Sequence, residues 1–485
     1  MVSIIIFLPL LGALVVALMP REFEKAPKLI ALAFTFAAFA LSVALFVIFD
    51  RDKSGFQWID QVTWVDLTAF KLQYKVGIDG LSLPMVMLTT GLTFFSVLIS
   101  WRIDLRPKEY FAWMLILEAG VLGVFVALDF LLFFLFWEVE LVPMYLLISI
   151  WGTGRKEYAA LKFVLFTVAG SAFMLVGILL LGFTANTFDI QQLTQMQITS
   201  SFVPLSMIFF FIMAAFAVKL PVFPFHTWLP DAHTNAPTAV SVLLAGVLLK
   251  MGGYGMIRMG LSILPNVAKD YTLLFAVLAA INIIYGAFVV LRQQDLKRLI
   301  AYSSVSHMGY VLLGISALKQ VGLTGASLQM FTHGLITGML FIMVGLVYDR
   351  THTRDIGQMS GLMRNMPFVG IFFYVAGFAS LGLPALAGFW AELLVFLGTF
   401  DKYVPMTVLG VVGVLLSAGY ILWMLQRVLW GPPMARWSGL TDATAWWERV
   451  PVIGLTVVIV AVGIYPTWMV DVIQKGVQPI AARLS

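Results

Sequence analysis

No cysteine occurs among the 485 residues. That excludes disulfides, cysteine-ligated zinc and thiolate-held iron–sulfur clusters from this chain. Charge is scarce as well. Asp, Glu, Lys and Arg make up 11% of the sequence, against about a quarter in a soluble domain. Neither a G-x-G-x-x-G nor a G-x-x-x-x-G-K-[ST] phosphate cradle is present. Five histidines remain, enough in principle to hold a haem. The net charge of +5 sits in short loops, where it reports membrane topology and not nucleic-acid binding.

Apolar residues fill the place of everything missing: 61% of the chain is hydrophobic. Long apolar runs bounded by charged or Pro/Gly loops read as transmembrane helices. About fourteen are predicted, at 2–20, 28–49, 82–101, 110–128, 130–151, 158–183, 204–229, 237–260, 271–291, 297–318, 321–348, 367–400, 404–430 and 450–470. They are numbered here as spans 1 to 14. The first lacks a basic n-region and a small-residue cleavage site, so it reads as a span and not as a cleaved signal. The connections 50–81, 184–203 and 431–449 are the longest, and no soluble domain is predicted. The fold class is therefore an all-α polytopic membrane protein.

Seventeen Lys and Arg fall in one set of alternate loops, beginning with Arg21, Lys25 and Lys28, against ten on the other side. By the positive-inside rule the richer side is cytoplasmic and both termini face out. Two spans are abnormal. Span 7 contains Pro221 and Pro224, and span 12 contains Gly382, Pro384 and Gly388 within "SLGLPALAGFWAE". A proline removes a backbone donor and clashes with the preceding turn, so both read as broken helices. They lie five spans apart, and an odd offset inverts a repeat. Paired breaks of this kind point to an inverted-repeat transporter with its site at the breaks. The division that follows is 1–109 for spans 1–3, 110–260 for a first five-helix repeat, 271–430 for a second, inverted repeat, and 431–485 for the last span and tail.

A charge at mid-bilayer costs at least a few kcal/mol, so each one needs a partner or a function. Glu138 and Glu140 lie in span 5, within "FLFWEVELVPMY". Lys219 precedes the break of span 7, Lys250 lies in span 8, His307 in span 10, His333 in span 11, and Glu392 follows the break of span 12. Burial disfavours a lysine's proton and a nearby carboxylate favours it, so a movable Glu–Lys pair is a tunable proton carrier. A single intramembrane lysine reads equally as a snorkelling residue or a structural ion pair, and Lys162 reads as snorkelling. Either central histidine alone reads equally as a hydrogen-bonded packing residue or as a relay. The joint pattern of Glu138, Lys219, Lys250, His307, His333 and Glu392 reads as a proton path. Glu138 and Glu140 stand about 200° apart on a helix and cannot share a face. Glu118 and Glu140 read as structural or partner-facing. His226 and His233 flank "FHTWLPDAHTNAP", as a solvent gate or as loop geometry.

Three long motifs carry a family likeness: "VKLPVFPFHTWLPDAHTNAPTAVSVLLAGVLLKMGGYG" (218–255), "VGIDGLSLPMV" (76–86) and "QQDLKRLIAYSSVSHMGY" (293–310). Together they resemble the antiporter-like subunits of respiratory complex I, over nearly the whole chain. Within that family "FWEVELVPMY", "YDRTHTRDI" and Glu392 resemble the M type; the L and N types typically have lysine at the last position. The resemblance implies fourteen helices with two inverted five-helix repeats. It assigns the span 5 glutamate to Glu138 through a Trp-Glu-x-x-Leu-x-Pro pattern, the carrier lysine to Lys219, the bridging lysine to Lys250, the relay to His307 and His333, and the terminal carrier to Glu392. It implies no cofactor in this chain, with FMN, iron–sulfur clusters and quinone in partner subunits, and L-type and N-type chains on either flank; the membrane is a bacterial inner membrane or an organellar relative of it, and length and loops favour the bacterial one. The activity expected is proton translocation in an NADH:quinone oxidoreductase. Glu138→Gln and Lys219→Ala are expected to impair it. The rival readings are a subunit of an Mrp-type sodium/proton antiporter or membrane-bound hydrogenase, a scaffold whose charges only hold an assembly together, and a haem-bearing chain using His307 and His333.

Overall fold

Eleven helices among the described residues are long and apolar enough to cross a membrane. The remaining three spans are built from shorter apolar helices: Val2–Leu18, the pair Leu205–Lys219 and Trp228–Asn235, and the pair Pro367–Ser380 and Ala387–Thr399. The total is the fourteen expected. A computed structural model of the chain describes residues 1–484 except 21, 24, 67–70, 199 and 200. Arg21, counted above with the first basic loop, lies outside the described residues.

Two elements add to the all-helical expectation. The connection 50–81 holds an antiparallel hairpin of β1 (Gln57–Asp66) and β2 (Lys71–Ile78). The tail forms a further helix, Thr467–Leu484, that buries Met469, Val472, Ile473, Gly476, Val477 and Ile480 along one stripe. That i, i+3, i+4, i+7 spacing is the signature of a helix lying on a surface. The contact is close. A Cβ on Gly80, just after the hairpin, would stand 1.9 Å from the Val472 carbonyl oxygen, so only glycine fits there.

Burial sorts the spans into an axis and a rim. The most apolar windows of span 8 (Thr238–Leu261) and span 11 (Gln320–Thr351) are 100% buried, and that of span 10 (Leu296–Ser316) is 94% buried. Span 2 (Ala26–Ile48) is 33% buried. The polar side chains of spans 8, 10 and 11 are therefore enclosed by other helices and not exposed to lipid.

Two short bridges recur with the same pattern. At the start of span 5, Phe130 N donates to Phe188 O (2.8 Å) and Ile190 N to Leu128 O (2.9 Å). At the start of span 10, Leu296 N donates to Arg354 O (3.0 Å) and Ile356 N to Gln294 O (2.8 Å). Asp129 and Asp189 flank the first bridge, Asp295 and Asp355 the second, and each carboxylate caps the turn that follows it. A cation closes each: Lys75 to Asp189 at 2.5 Å and Arg354 to Asp295 at 3.3 Å.

Candidate functional site: a buried chain of charges

The helix of span 7 ends at Lys219 because Pro221 has no N–H with which to continue it. Residues 220–227 form turns before the helix resumes at Trp228. Breaking a helix inside a membrane frees backbone groups that need partners. Asn282, fully buried in span 9 (Thr272–Val290), supplies them: its amide oxygen accepts from Phe223 N (2.7 Å) and its amide nitrogen donates to Pro221 O (3.1 Å). Trp228 Nε1 adds a bond to Val218 O at 3.0 Å.

Lys219, set at this break, forms an ion pair with Glu140, and both side chains are 0% exposed. The ammonium also lies over the rings of Phe163 and Trp137, at 5.1 and 5.5 Å, where a desolvated cation gains from the ring quadrupole. Span 5 is itself interrupted at Glu140, between Phe130–Val139 and Leu141–Trp151. Pro143 accounts for this, because its ring excludes the hydrogen bond to Val139, four residues back.

This geometry corrects the sequence expectation. Glu138 was placed on the internal path and Glu140 off it; the contact to Lys219 is made by Glu140. Glu138 is half-buried, on the same side of span 5 as the exposed Leu135, Val139 and Val142, and its Oε1 has no partner among the described residues. The Trp-Glu-x-x-Leu-x-Pro pattern selects Glu138, and the rotation of the helix brings Glu140 to Lys219. Glu118, in span 4 (Pro107–Val126), is 1% exposed, and neither carboxylate oxygen has a hydrogen-bond partner among the described residues.

The other four expected residues come together. Lys250 follows a π-helical segment, Leu244–Leu248, and donates to the Ala245 carbonyl oxygen. Insertions of this kind recur at functional sites because they misalign carbonyls from their usual partners. Lys250 Nζ also lies 2.8 Å from His333 Nδ1. The His333 and His307 rings are 5.7 Å apart, centroid to centroid. His307 Nδ1 stands 3.5 Å from Glu392 Oε1, and its Nε2 stands 3.4 Å from Ser380 Oγ, at the end of the first half of span 12. The break of span 12 covers 381–386. Gly382 sits in it at φ +73°, where an added Cβ would stand 2.7 Å from Glu392 Oε2. Both the backbone conformation and the carboxylate require glycine.

Among the described residues no hydrogen bond or ion pair joins Lys219 to Lys250. Their helices are in contact: a Cβ on Gly252 would meet Leu220 N at 2.6 Å. The arrangement is thus two polar groups side by side, Glu140–Lys219 and Lys250–His333–His307–Glu392. Within each group every member has a buried titratable neighbour with which a proton can be exchanged.

Sequence reading missed three features. Arg258, in a second π-helical segment of span 8 (Met256–Leu261), forms a buried ion pair with Asp79. Asp79 lies in the "VGIDGLSLPMV" motif, which was the available signal. Asn282 was the one amide in an otherwise apolar span. Lys162, expected to snorkel, pairs with Asp231 at 2.7 Å. His226 and His233 are buried, packed against the Tyr285 and Phe341 rings respectively, with no hydrogen-bond partner for their ring nitrogens among the described residues.

No group of three or more His, Asp or Glu side chains among the described residues is arranged to hold a metal. The model of the NADH:quinone oxidoreductase/Mrp antiporter transmembrane family matches residues 127–417. NADH-quinone oxidoreductase subunit M of Rhodobacter capsulatus is 41% identical, over 98% of this chain and 95% of its own length. An NAD(P)H-quinone oxidoreductase chain 4 of Synechococcus elongatus is 42% identical, over 99% and 91%. Among solved structures, a chain of respiratory complex I from Thermus thermophilus superposes with a TM-score of 0.91 at 28% identity, covering all of both chains. A chain of the Mrp complex from Dietzia sp. gives 0.86 at 20% identity, a likeness of fold alone. With its many apolar spans the chain is integral to a membrane, and it belongs to the NADH:quinone oxidoreductase/Mrp antiporter transmembrane family.

Proposed function

We propose that the chain is a proton-translocating membrane-arm subunit, of the M type, of an NADH:quinone oxidoreductase. The observation that carries the mechanism is the row of buried titratable groups from Glu140 to Glu392. Redox energy released in other subunits changes the electrostatics along the row. Drawing Glu140 away from Lys219 weakens the lysine's hold on its proton, because the compensating charge recedes in a low-dielectric interior. The proton moves to Lys250, through His333 and His307, and leaves by Glu392. In this reading Glu140 takes the role expected of Glu138.

The two recurring bridges support a division into inverted halves at 110–260 and 271–430, since five crossings separate them and set them on opposite faces. Protons are taken up on the basic, cytoplasmic side of a bacterial inner membrane, with both termini outside. FMN, iron–sulfur clusters and quinone belong to partner subunits, and L-type and N-type chains flank this one. Full-length identity to subunit M and chain 4 favours this reading over an Mrp-type antiporter subunit.

The test is NADH-driven proton uptake in membrane vesicles carrying Lys219→Ala, with NADH oxidation and assembly measured on the same preparation. Loss of pumping in an assembled complex is expected. Collapse of assembly supports a scaffold role instead, and unchanged pumping removes Lys219 from the path.

A further inference from the structure

At the basic ends of spans 1, 2 and 4 lies a cavity of about 480 Å³, away from the proton path. It is lined by Lys25, Lys28, Arg106 and Lys108, against Asp104 and Glu109. The cations are placed by bonds to neighbouring helix ends. Lys28 Nζ donates to Trp101 O (2.8 Å) and Asp104 Oδ1 (3.0 Å), and Lys108 Nζ to Met19 O (2.6 Å). Each ammonium has donors to spare. Arg106 reaches Glu109 only at 3.6 Å and stays more than half exposed. Lys25 has no ion pair or side-chain hydrogen bond among the described residues. Four cations and two carboxylates line the cavity, so its lining is positive on balance.

Spans 2 and 4 both begin at this cavity, each with a proline in its first turn, a basic N-cap residue and no side-chain cap on its free N–H groups. Their helix dipoles add to the same sign. Phe23, which lines the cavity, is exposed, as are Leu14 and Leu18 on span 1 and Leu29 on span 2, the two helices whose ends meet there.

We propose that this cavity binds the phosphodiester headgroup of an anionic phospholipid, with Lys25 and Arg106 holding the phosphate and the acyl chains lying against spans 1 and 2. Basic pockets between spanning helices on the cytoplasmic side suit such headgroups, and the adjoining exposed leucines distinguish a lipid from a free anion. The site needs only the membrane orientation of the chain, so it stands or falls separately from the proton path.

The experiment uses the detergent-solubilised complex containing this chain, wild type and with Lys25→Gln/Arg106→Gln. Phospholipid retained after washing is measured by mass spectrometry, and the thermal midpoint is followed on adding phosphatidylglycerol, phosphatidylcholine or inorganic phosphate. Wild type is expected to retain about one more anionic phospholipid than the variant, the headgroup the cavity has room to pair. Phosphatidylglycerol alone should raise the wild-type midpoint, and Lys25→Arg/Arg106→Lys should restore both effects. Equal lipid content in both proteins overturns the proposal. So does a midpoint shift that phosphate reproduces in full, which makes this a free-anion site. Loss of a neighbouring subunit without loss of lipid overturns it as well, and makes the patch a protein interface. If the double variant does not assemble, Lys25→Gln alone, at an exposed residue, answers the same question.

Discussion

Glu140 and Glu138 stand two residues apart, and replacing each by glutamine separates the geometric assignment from the motif-based one. In Glu140→Gln the partner of a fully buried lysine is neutralised. Leaving one member of such a pair charged costs about 3–5 kcal/mol. That is about two to three and a half powers of ten in the population of charged Lys219. Glu138→Gln removes no ion pair. Its effect should stay within about 0.5 kcal/mol, or about twofold. The assay is proton uptake per NADH oxidised in inside-out vesicles, with assembly checked by native electrophoresis. Glu140→Gln is expected to lose most of the uptake while the complex assembles. Normal pumping in Glu140→Gln together with a loss in Glu138→Gln would refute the pairing and return the role to the residue the motif selects.

Other perturbations test neighbouring parts of the structure. Asn282→Leu leaves Phe223 N and Pro221 O without partners, at about 1–3 kcal/mol each, and should lower the thermal midpoint of the complex more than Asn282→Gln does. Gly382→Ala forces an alanine into the left-handed region at about 1–2 kcal/mol and drives its methyl into Glu392; pumping should fall with assembly intact, and unchanged pumping would show that the break of span 12 is not the terminal carrier's seat. Arg258→Leu strands the buried Asp79 carboxylate and should destabilise by about 3–5 kcal/mol, whereas Arg258→Leu with Asp79→Leu should recover much of that, read as a double-mutant cycle in thermal midpoint.

The spans and both breaks were legible because their causes are local: apolar run length, and proline where an N–H is needed. Lys219, Lys250, His307, His333 and Glu392 were legible because a charge in a long apolar run stands out without knowledge of its partner. The choice between Glu138 and Glu140 was not legible. It depends on how span 5 is rotated, and neighbouring helices set that. Asn282 and the π-helical turn before Lys250 answer needs that arise only when the helices pack. The hairpin was hidden for a different reason: register shifts between Gln57 and Asp60 and between Thr63 and Val65 break the alternation by which a strand is recognised. The C-terminal helix did carry a readable stripe, but it is too polar to register as a span.

The ion pair at Lys219 has one mechanical property that neither residue has alone. Lys219 ends a helix that proline has severed, and Glu140 sits where proline has opened a second one. The two charges are therefore mounted on the most compliant points of their spans. An intact helix resists local bending because every turn is cross-linked to the next. Here one such link is lacking on each side, at Pro221 and at Pro143. The gap between ammonium and carboxylate can therefore lengthen or close against fewer backbone bonds than in an intact helix, so more of the work done on it goes into moving charge and less into deforming the scaffold.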